Sequence, residues 1–353
     1  MAARWWLVLA LAWAPFALAQ DGTAPPADGA ELATIVVTGE QPGPGLWQVR
    51  KGGHVLWVLG TLAPLPRAMQ WRAGEVGERI AQAQALLDRP GLSIKSDLGW
   101  FGQLALAPWL IGVRNLPDGK KLEDVVPAEL YARWQVLKRR YLGRGNKVER
   151  WRPLFAATAL YRAAVRANGM SVETAAVDER IAQFAKQAKL TPIPLRIEIA
   201  LDRPRAAIKQ FKHEQIDDIA CFARTIERLE TDLVTMRQRA NAWASGDLAA
   251  LRALPYVDQS AACFEAMQRS QVLQAAGDIE ARARELWLDA AGKALDAHAV
   301  SFALLPMSEV VGADGYLGAL RARGYEVIAP DADEGNDAGA SSDGPASAAS
   351  ASP

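Results

Sequence analysis

A mixed α+β fold is predicted for this 353-residue chain, with a central mixed sheet built from the N- and C-terminal segments and a long helical middle. Three observations predict it. Two β-prone runs flank a Gly-Gly turn near the start, two more lie near the end, and apolar residues at helical spacing dominate the stretch between. Strands at both ends of a helical centre require the two ends to meet in one sheet.

The elements follow in order. Residues 45–49 and 54–60 read as a hairpin about Lys51-Gly52-Gly53, and the second run is apolar on both faces, as a central strand requires. From Arg72 to Leu87 the positions Val76, Ile80, Ala83 and Leu87 recur at helical spacing, and a short strand is expected over 92–94. Pro127 opens one helix, and another, beginning after Trp151, stops at the C-cap signal Asn168-Gly169. Helical patterns occupy 215–243, 258–275 and 277–297, punctuated by Gly246 and Gly277, while residues 193–199 alternate like a strand. The chain closes with a strand at 300–305, a helix at 314–323 stopped by Gly324, and a strand at 325–329.

The flanks read differently. Residues 1–19 form a signal-peptide pattern: Arg4 in a short n-region, an apolar run from Trp5 to Trp13, and Ala17-Leu18-Ala19 before Gln20, which places cleavage between Ala19 and Gln20. An uncleaved anchor is the alternative, but the run is shorter than the ~20 apolar residues of a membrane span, and no later segment reaches that length. Residues 20–44 read as a flexible linker and 45–330 as a single globular domain. Residues 331–353 form an acidic Ala/Ser-rich tail that cannot offset its ordering entropy by burial. A bacterial periplasmic or secreted protein with no transmembrane segment after signal cleavage is therefore expected.

In that oxidising compartment Cys221 and Cys263 are expected to pair, with two buried thiols as the alternative. A bridge closing a loop of roughly 40 residues stabilises by about 3–4 kcal/mol. The net charge of zero conceals an uneven distribution, since nine acids and no bases lie in 21–44 and 331–353, leaving a mildly basic core between acidic flanks.

Three runs carry a resemblance. The first, Gly45 to Pro66, joins a Leu-Trp strand, a Gly-rich turn and an apolar strand to Gly60-Thr61 and a Pro-containing segment that leads to Trp71. The second has Trp243, Gly246 and Asp247 in a Trp-x-x-Gly-Asp pattern; the third has Gly312, Gly315, Leu317, Leu320, Gly324, Tyr325 and Val327. Together they resemble the TraB/GumN (TraB/PrgY/GumN, Tiki-like) family across about residues 45–329. That resemblance implies metal-dependent hydrolysis, with two Gly-x-x-His histidines and an acidic residue as ligands.

The ligand positions depart from the pattern. The first motif reads Gly60-Thr61-Leu62-Ala63, so Ala63 stands where the resemblance puts a histidine. The second reads Pro306-Met307-Ser308-Glu309, with Pro306 for glycine and Glu309 for histidine. The acidic position falls on Arg89 or, with a one-residue slip, on Asp88. With both histidines replaced, no family-type divalent metal and no other cofactor is expected.

Other chemistry has little support. His54, His213 and His298 are not at ligand spacing, Ser301 and Ser308 lie in no Gly-x-Ser-x-Gly elbow, and no phosphate-cradling loop precedes a helix. One surface feature stands out, the basic run Lys138, Arg139, Arg140, Arg144, Lys147, Arg150 and Arg152, interleaved with Tyr141 and Trp151. Such a run can grip an acidic polysaccharide or lipid head groups, or it can be two solvated helix ends. The reading that follows is an exported pseudoenzyme with a non-catalytic binding or structural role in the cell envelope, its partner an envelope protein or an acidic polysaccharide rather than nucleic acid. The alternatives are a repurposed Tiki-like metallohydrolase using Glu309 and Asp88, and a polyanion-binding module.

Overall fold

The computed structural model describes residues 41–67, 69–95, 104–254, 259–274 and 276–332. The expected signal peptide with its expected Ala19–Gln20 cleavage site, most of the stretch read as linker and most of the stretch read as tail lie outside the described residues.

The fold is mixed α+β, and its main sheet has the order β4-β8-β2-β1-β9. Strands β1 (Leu46–Lys51) and β2 (His54–Thr61) form the expected hairpin, with Lys51 opposite His54. Gly52, at φ 58°, takes the left-handed conformation that such a two-residue turn demands. Strand β2 is central, antiparallel to β1 and parallel to β8 (Val300–Pro306), whose residues 301–305 are all buried. β4 (Ala85–Leu87) runs parallel to the other side of β8, and β9 (Glu326–Ile328) closes the far edge against β1. Thus the two ends of the chain do meet in one mixed sheet.

The helix expected over 72–87 is shorter than its periodicity. It spans Gly74–Gln82 and buries Val76 and Ile80; Ala83 is extended, and residues 85–87 become β4. Ala85, Leu86 and Leu87 are buried on both faces, a pattern that a one-sided helix cannot satisfy, and Gln84 N donates to Val300 O at 2.9 Å to start the pairing. Beyond it, β5 (Gly91–Lys95) pairs in parallel with β7 (Arg196–Ala200), and β3 (Leu65–Pro66) pairs with β6 (Met170–Ser171).

The helical middle follows much of the punctuation read above, with differences at several places, among them the break of 258–275 into Gln259–Gln268 and Gln271–Gln274 and the unread helix Pro204–His213. The pattern over 215–243 breaks at Asp232 into helices Ile219–Thr231 and Leu233–Ser245. Asp232 is buried there and accepts from Arg228 Nε at 3.3 Å and Arg239 Nη2 at 2.5 Å. A helix Ala175–Gln187, absent from the sequence reading, packs on Gly74–Gln82 at Gly77, where a Cβ would stand 2.9 Å from the Phe184 ring.

Two large cores result. One wraps the main sheet; the other gathers Trp134, Leu160 and Phe222 among the middle helices, with the Trp134 and Phe222 rings 5.1 Å apart. Cys221 and Cys263 are bonded at the second core, joining helix Ile219–Thr231 to helix Gln259–Gln268.

The flanks extend the fold further than their composition suggests. Gln41 O accepts from Arg72 N at 2.7 Å, and Gly43 N donates to Ala244 O at 2.8 Å, so residues 41–44 form a strap over the sheet core rather than linker. Gly43 sits at φ 85° where a Cβ would be 2.7 Å from the Trp71 ring. At the other end Asp331, read as tail, pairs with Arg252 at 2.6 Å.

Asp218 marks the second core as pH-sensitive. Its Oδ2 accepts from Leu154 N at 2.8 Å, at the start of helix Pro153–Ala167. Burial pushes its carboxyl up to about 6, against the opposing pull of that N–H and of Arg152. A carboxyl raised in the folded state supports stability most fully below about pH 4, and the support is lost as pH rises through about 6. Asp218→Asn is expected to remove this dependence: the stability of the parent relative to the variant should fall by on the order of 1–3 kcal/mol between pH 4 and pH 7 in urea titrations.

Candidate functional site

Strands β4, β8 and β2 are parallel, so their C-terminal ends share one side of the sheet, the side where open α/β sheets bind ligands. Residues singled out from sequence lie at all three ends. They are Gly60, Thr61 and Ala63 at β2, Pro306 and Glu309 at β8, and Asp88 and Arg89 at β4. His54 and His298 sit at the starts of β2 and β8, the opposite end, and His213 is exposed on a distant helix.

Each motif residue has a local reason. Gly60 O accepts from the buried Trp243 Nε1 at 2.7 Å, and a Cβ on Gly60 would stand 2.6 Å from Met307 Cε. The Gly60 and Trp243 runs are therefore joined by one hydrogen bond, and a side chain at Gly60 would displace the thioether end of Met307 packed upon it. Thr61 Oγ1 donates to Leu305 O at 3.1 Å across the β2–β8 pair. Helix Met307–Val311 follows Pro306 and turns sharply at Gly312 and Gly315, where added side chains would strike the carbonyls of Ser308 and Glu309. Glu309 is half-buried, and its charge, second to burial, helps push the Tyr316 phenol up to about 12.

The strand ends open on a cavity of about 450 Å³, lined by Asp88, Arg89, Asp178, Arg196, Pro306 and apolar neighbours that include Ile181 and Leu304. Arg89 Nη2 donates to Asp178 Oδ1 at 2.5 Å, and Nη1 donates to Thr174 Oγ1 at 3.1 Å and Thr61 Oγ1 at 3.4 Å. Thr174 Oγ1 in turn donates to Asp178 Oδ2 at 2.7 Å. Arg196 bridges the neighbouring pair, with Nη2 to Asp88 Oδ2 at 2.7 Å and Nη1 to Arg89 O at 2.9 Å. Two guanidinium groups and two carboxylates thus form a paired, charge-balanced cluster. Gly60, Ala63 and Glu309 are not among the residues lining this cavity.

Sequence reasoning missed Thr174, Asp178 and Arg196. Thr174 followed four residues later by Asp178 has the look of a helix start, and Arg196 occupies the outward face of an alternating strand, so neither pattern separates a site from ordinary surface.

The donor set does not suit a catalytic divalent ion. Ala63 and Pro306 offer no side-chain lone pair, both cavity carboxylates are engaged by arginine, and among the described residues no three His, Cys, Asp or Glu side chains converge to hold a metal. Ser301 is wholly buried in β8, Ser308 is exposed outside the cavity, and both cysteines are bonded.

The basic run is not one surface. Lys138 is 4% exposed and pairs with Glu149 at 2.6 Å, and Arg152 is 2% exposed, donating to the carbonyls of Phe211, Lys212 and Glu214. These two belong to the second core. Glu149 also accepts from Gln135 at 2.9 Å and Trp134 Nε1 at 3.3 Å; burial raises its carboxyl, but these bonds and Lys138 outweigh it, and the group sits below its ordinary value. Arg139, Arg140, Arg144, Lys147 and Arg150 remain exposed.

A family model described as the TraB/PrgY/gumN family matches residues 45–329. No curated protein and no solved structure matches the chain.

Lys138→Met is expected to destabilise the fold by about 3 kcal/mol, because it strands a buried carboxylate. Arg139→Ala/Arg140→Ala, at exposed positions, should change stability by less than about 1 kcal/mol. Urea titration of the two variants checks both values.

Proposed function

Because the chain belongs to the TraB/PrgY/gumN family, we propose that it retains the family's sheet but has exchanged metal chemistry at the strand ends for a fixed arginine–carboxylate cluster. It then serves as an exported, non-catalytic binding or structural protein of the cell envelope. Arg89 carries this reading. Its guanidinium, bonded to Thr61, Thr174 and Asp178, puts a permanent positive charge beside the strand ends, where the resemblance places a divalent ion. A second cation there would be repelled by Arg89 and would have to take the carboxylates from their arginines.

Export is supported by the N-terminal pattern ending at Ala19-Gln20, by the Cys221–Cys263 bridge, which suits an oxidising compartment, and by the lack among the described residues of any helix long and apolar enough to cross a membrane. The mature chain would comprise a leader, one domain ending near residue 330, and an acidic tail. Its exposed bases Arg139, Arg140, Arg144, Lys147 and Arg150 would leave a reduced surface for an acidic polysaccharide or an envelope protein.

Calorimetric titration of the purified chain with Mn²⁺, Co²⁺ and Zn²⁺ is expected to give no stoichiometric binding. Tight one-to-one binding that disappears in Glu309→Ala or Asp88→Asn would restore the metallohydrolase reading. Intact-mass analysis of the exported chain is expected to give a first residue at Gln20 and no thiol free to alkylate before reduction; an unprocessed chain with two reactive thiols would remove the export argument.

A further inference from the structure

Residues 104–111 read Leu-Ala-Leu-Ala-Pro-Trp-Leu-Ile, and seven of these eight apolar residues are exposed. Trp109 is 40%, Leu110 50% and Ile111 75% exposed. Single exposed apolar residues are ordinary, but a contiguous run of them marks a surface that meets something apolar. The run is also uncharged, since the next charged residue is Arg114.

Its neighbour supplies the charge. Helix Ala107–Leu110 packs on helix Pro204–His213, and the Arg205 guanidinium lies 5.9 Å from the centre of the Trp109 ring. From 203 to 213 the chain carries Arg203, Arg205, Lys209 and Lys212 and no acid. Pro204 and Phe211 face inward, whereas Arg203, Arg205 and Lys209 are exposed and have no carboxylate partner among the described residues. A basic helix face with no ion pair among the described residues therefore stands beside an exposed aromatic and aliphatic turn.

We propose that this face docks on an anionic membrane surface. Trp109, Leu110 and Ile111 enter the boundary between head groups and acyl chains, while Arg203, Arg205 and Lys209 meet lipid phosphates. The pairing of features selects the partner. A polyanion in water, whether nucleic acid or polysaccharide, gives Leu110 and Ile111 nothing to bury against, and an apolar protein partner leaves three bases without counter-charge. An anionic lipid interface satisfies both at once. The inference does not rest on the metal-free reading of the strand ends, and neither metal titration outcome touches it.

The test is hydrogen–deuterium exchange of the full chain, read on peptides covering 104–114 and 203–213. The vesicles contain phosphatidylcholine with phosphatidylglycerol, or phosphatidylcholine alone. A local readout is needed because the apolar run near the N-terminus can hold the chain on any vesicle. Exchange in both peptides is expected to slow on the anionic vesicles only and to recover when salt is raised. Arg205→Glu/Lys209→Glu should weaken the vesicle concentration dependence of that slowing by about 30-fold or more, and Trp109→Ser/Ile111→Ser should abolish it, with circular dichroism confirming that both variants fold. Unchanged exchange on anionic vesicles, or equal slowing on both kinds, would overturn the proposal. So would slowing without vesicles that grows with protein concentration, which would make the face a contact between chains.

Discussion

The parallel pairing of β2 with β8 is the constraint on which the rest of the molecule depends. It sets Val55 beside Val300 and Thr61 beside Pro306, residues some two-thirds of the chain apart. Parallel neighbours cannot be joined by a tight turn, so the intervening chain must leave one end of the sheet and re-enter at the other. In doing so it supplies β4, which pairs with the free side of β8, and the helices that hold the second core. Loop closure over such a length costs only slightly more than over a short one, since the entropy grows with the logarithm of loop length. What the long excursion needs is a fixed point on return, and Trp243 provides one by donating to Gly60 O just before β2 ends.

Much of this was legible in the residues. The Gly52-Gly53 turn, the doubly apolar β2 and the apolar run of β8 announce the sheet, because a strand buried on both faces has few alternatives. The end of the first helix was not legible: Ala83 and Leu87 continue a 3.6-residue period by coincidence, and only the free edge of β8 makes Ala85–Leu87 a strand. Local periodicity describes a face; it does not say which partner is vacant.

The candidate site shows the same division. Gly60, Thr61 and Pro306 could be placed at strand ends from sequence, because motifs report chain-local geometry, whereas the strand before Arg89 has the period of a helix. Their partners could not. Asp178 and Arg196 reach Arg89 and Asp88 from 89 and 108 residues further along, through a helix and a strand with no distinguishing pattern of their own. The basic run misled for a related reason. Seven cations within fifteen residues look like one surface, yet Glu149 within the run withdraws Lys138, and carbonyls near 211–214 withdraw Arg152. Charge density along a sequence is not charge density on a surface until the carboxylates and carbonyls brought by other segments are known.

The strap at residues 41–44 lies outside the range that the family model matches. Recognisable similarity to the family starts at Gly45, but Gly43 lies against the Trp71 ring and donates to Ala244, next to the tryptophan that holds Gly60. A chain cut at the similarity boundary would bare the indole edge of Trp71 and leave the Ala244 carbonyl without its donor. The packed structure thus reaches four residues beyond the matched range, and those residues act as a seal rather than a tether.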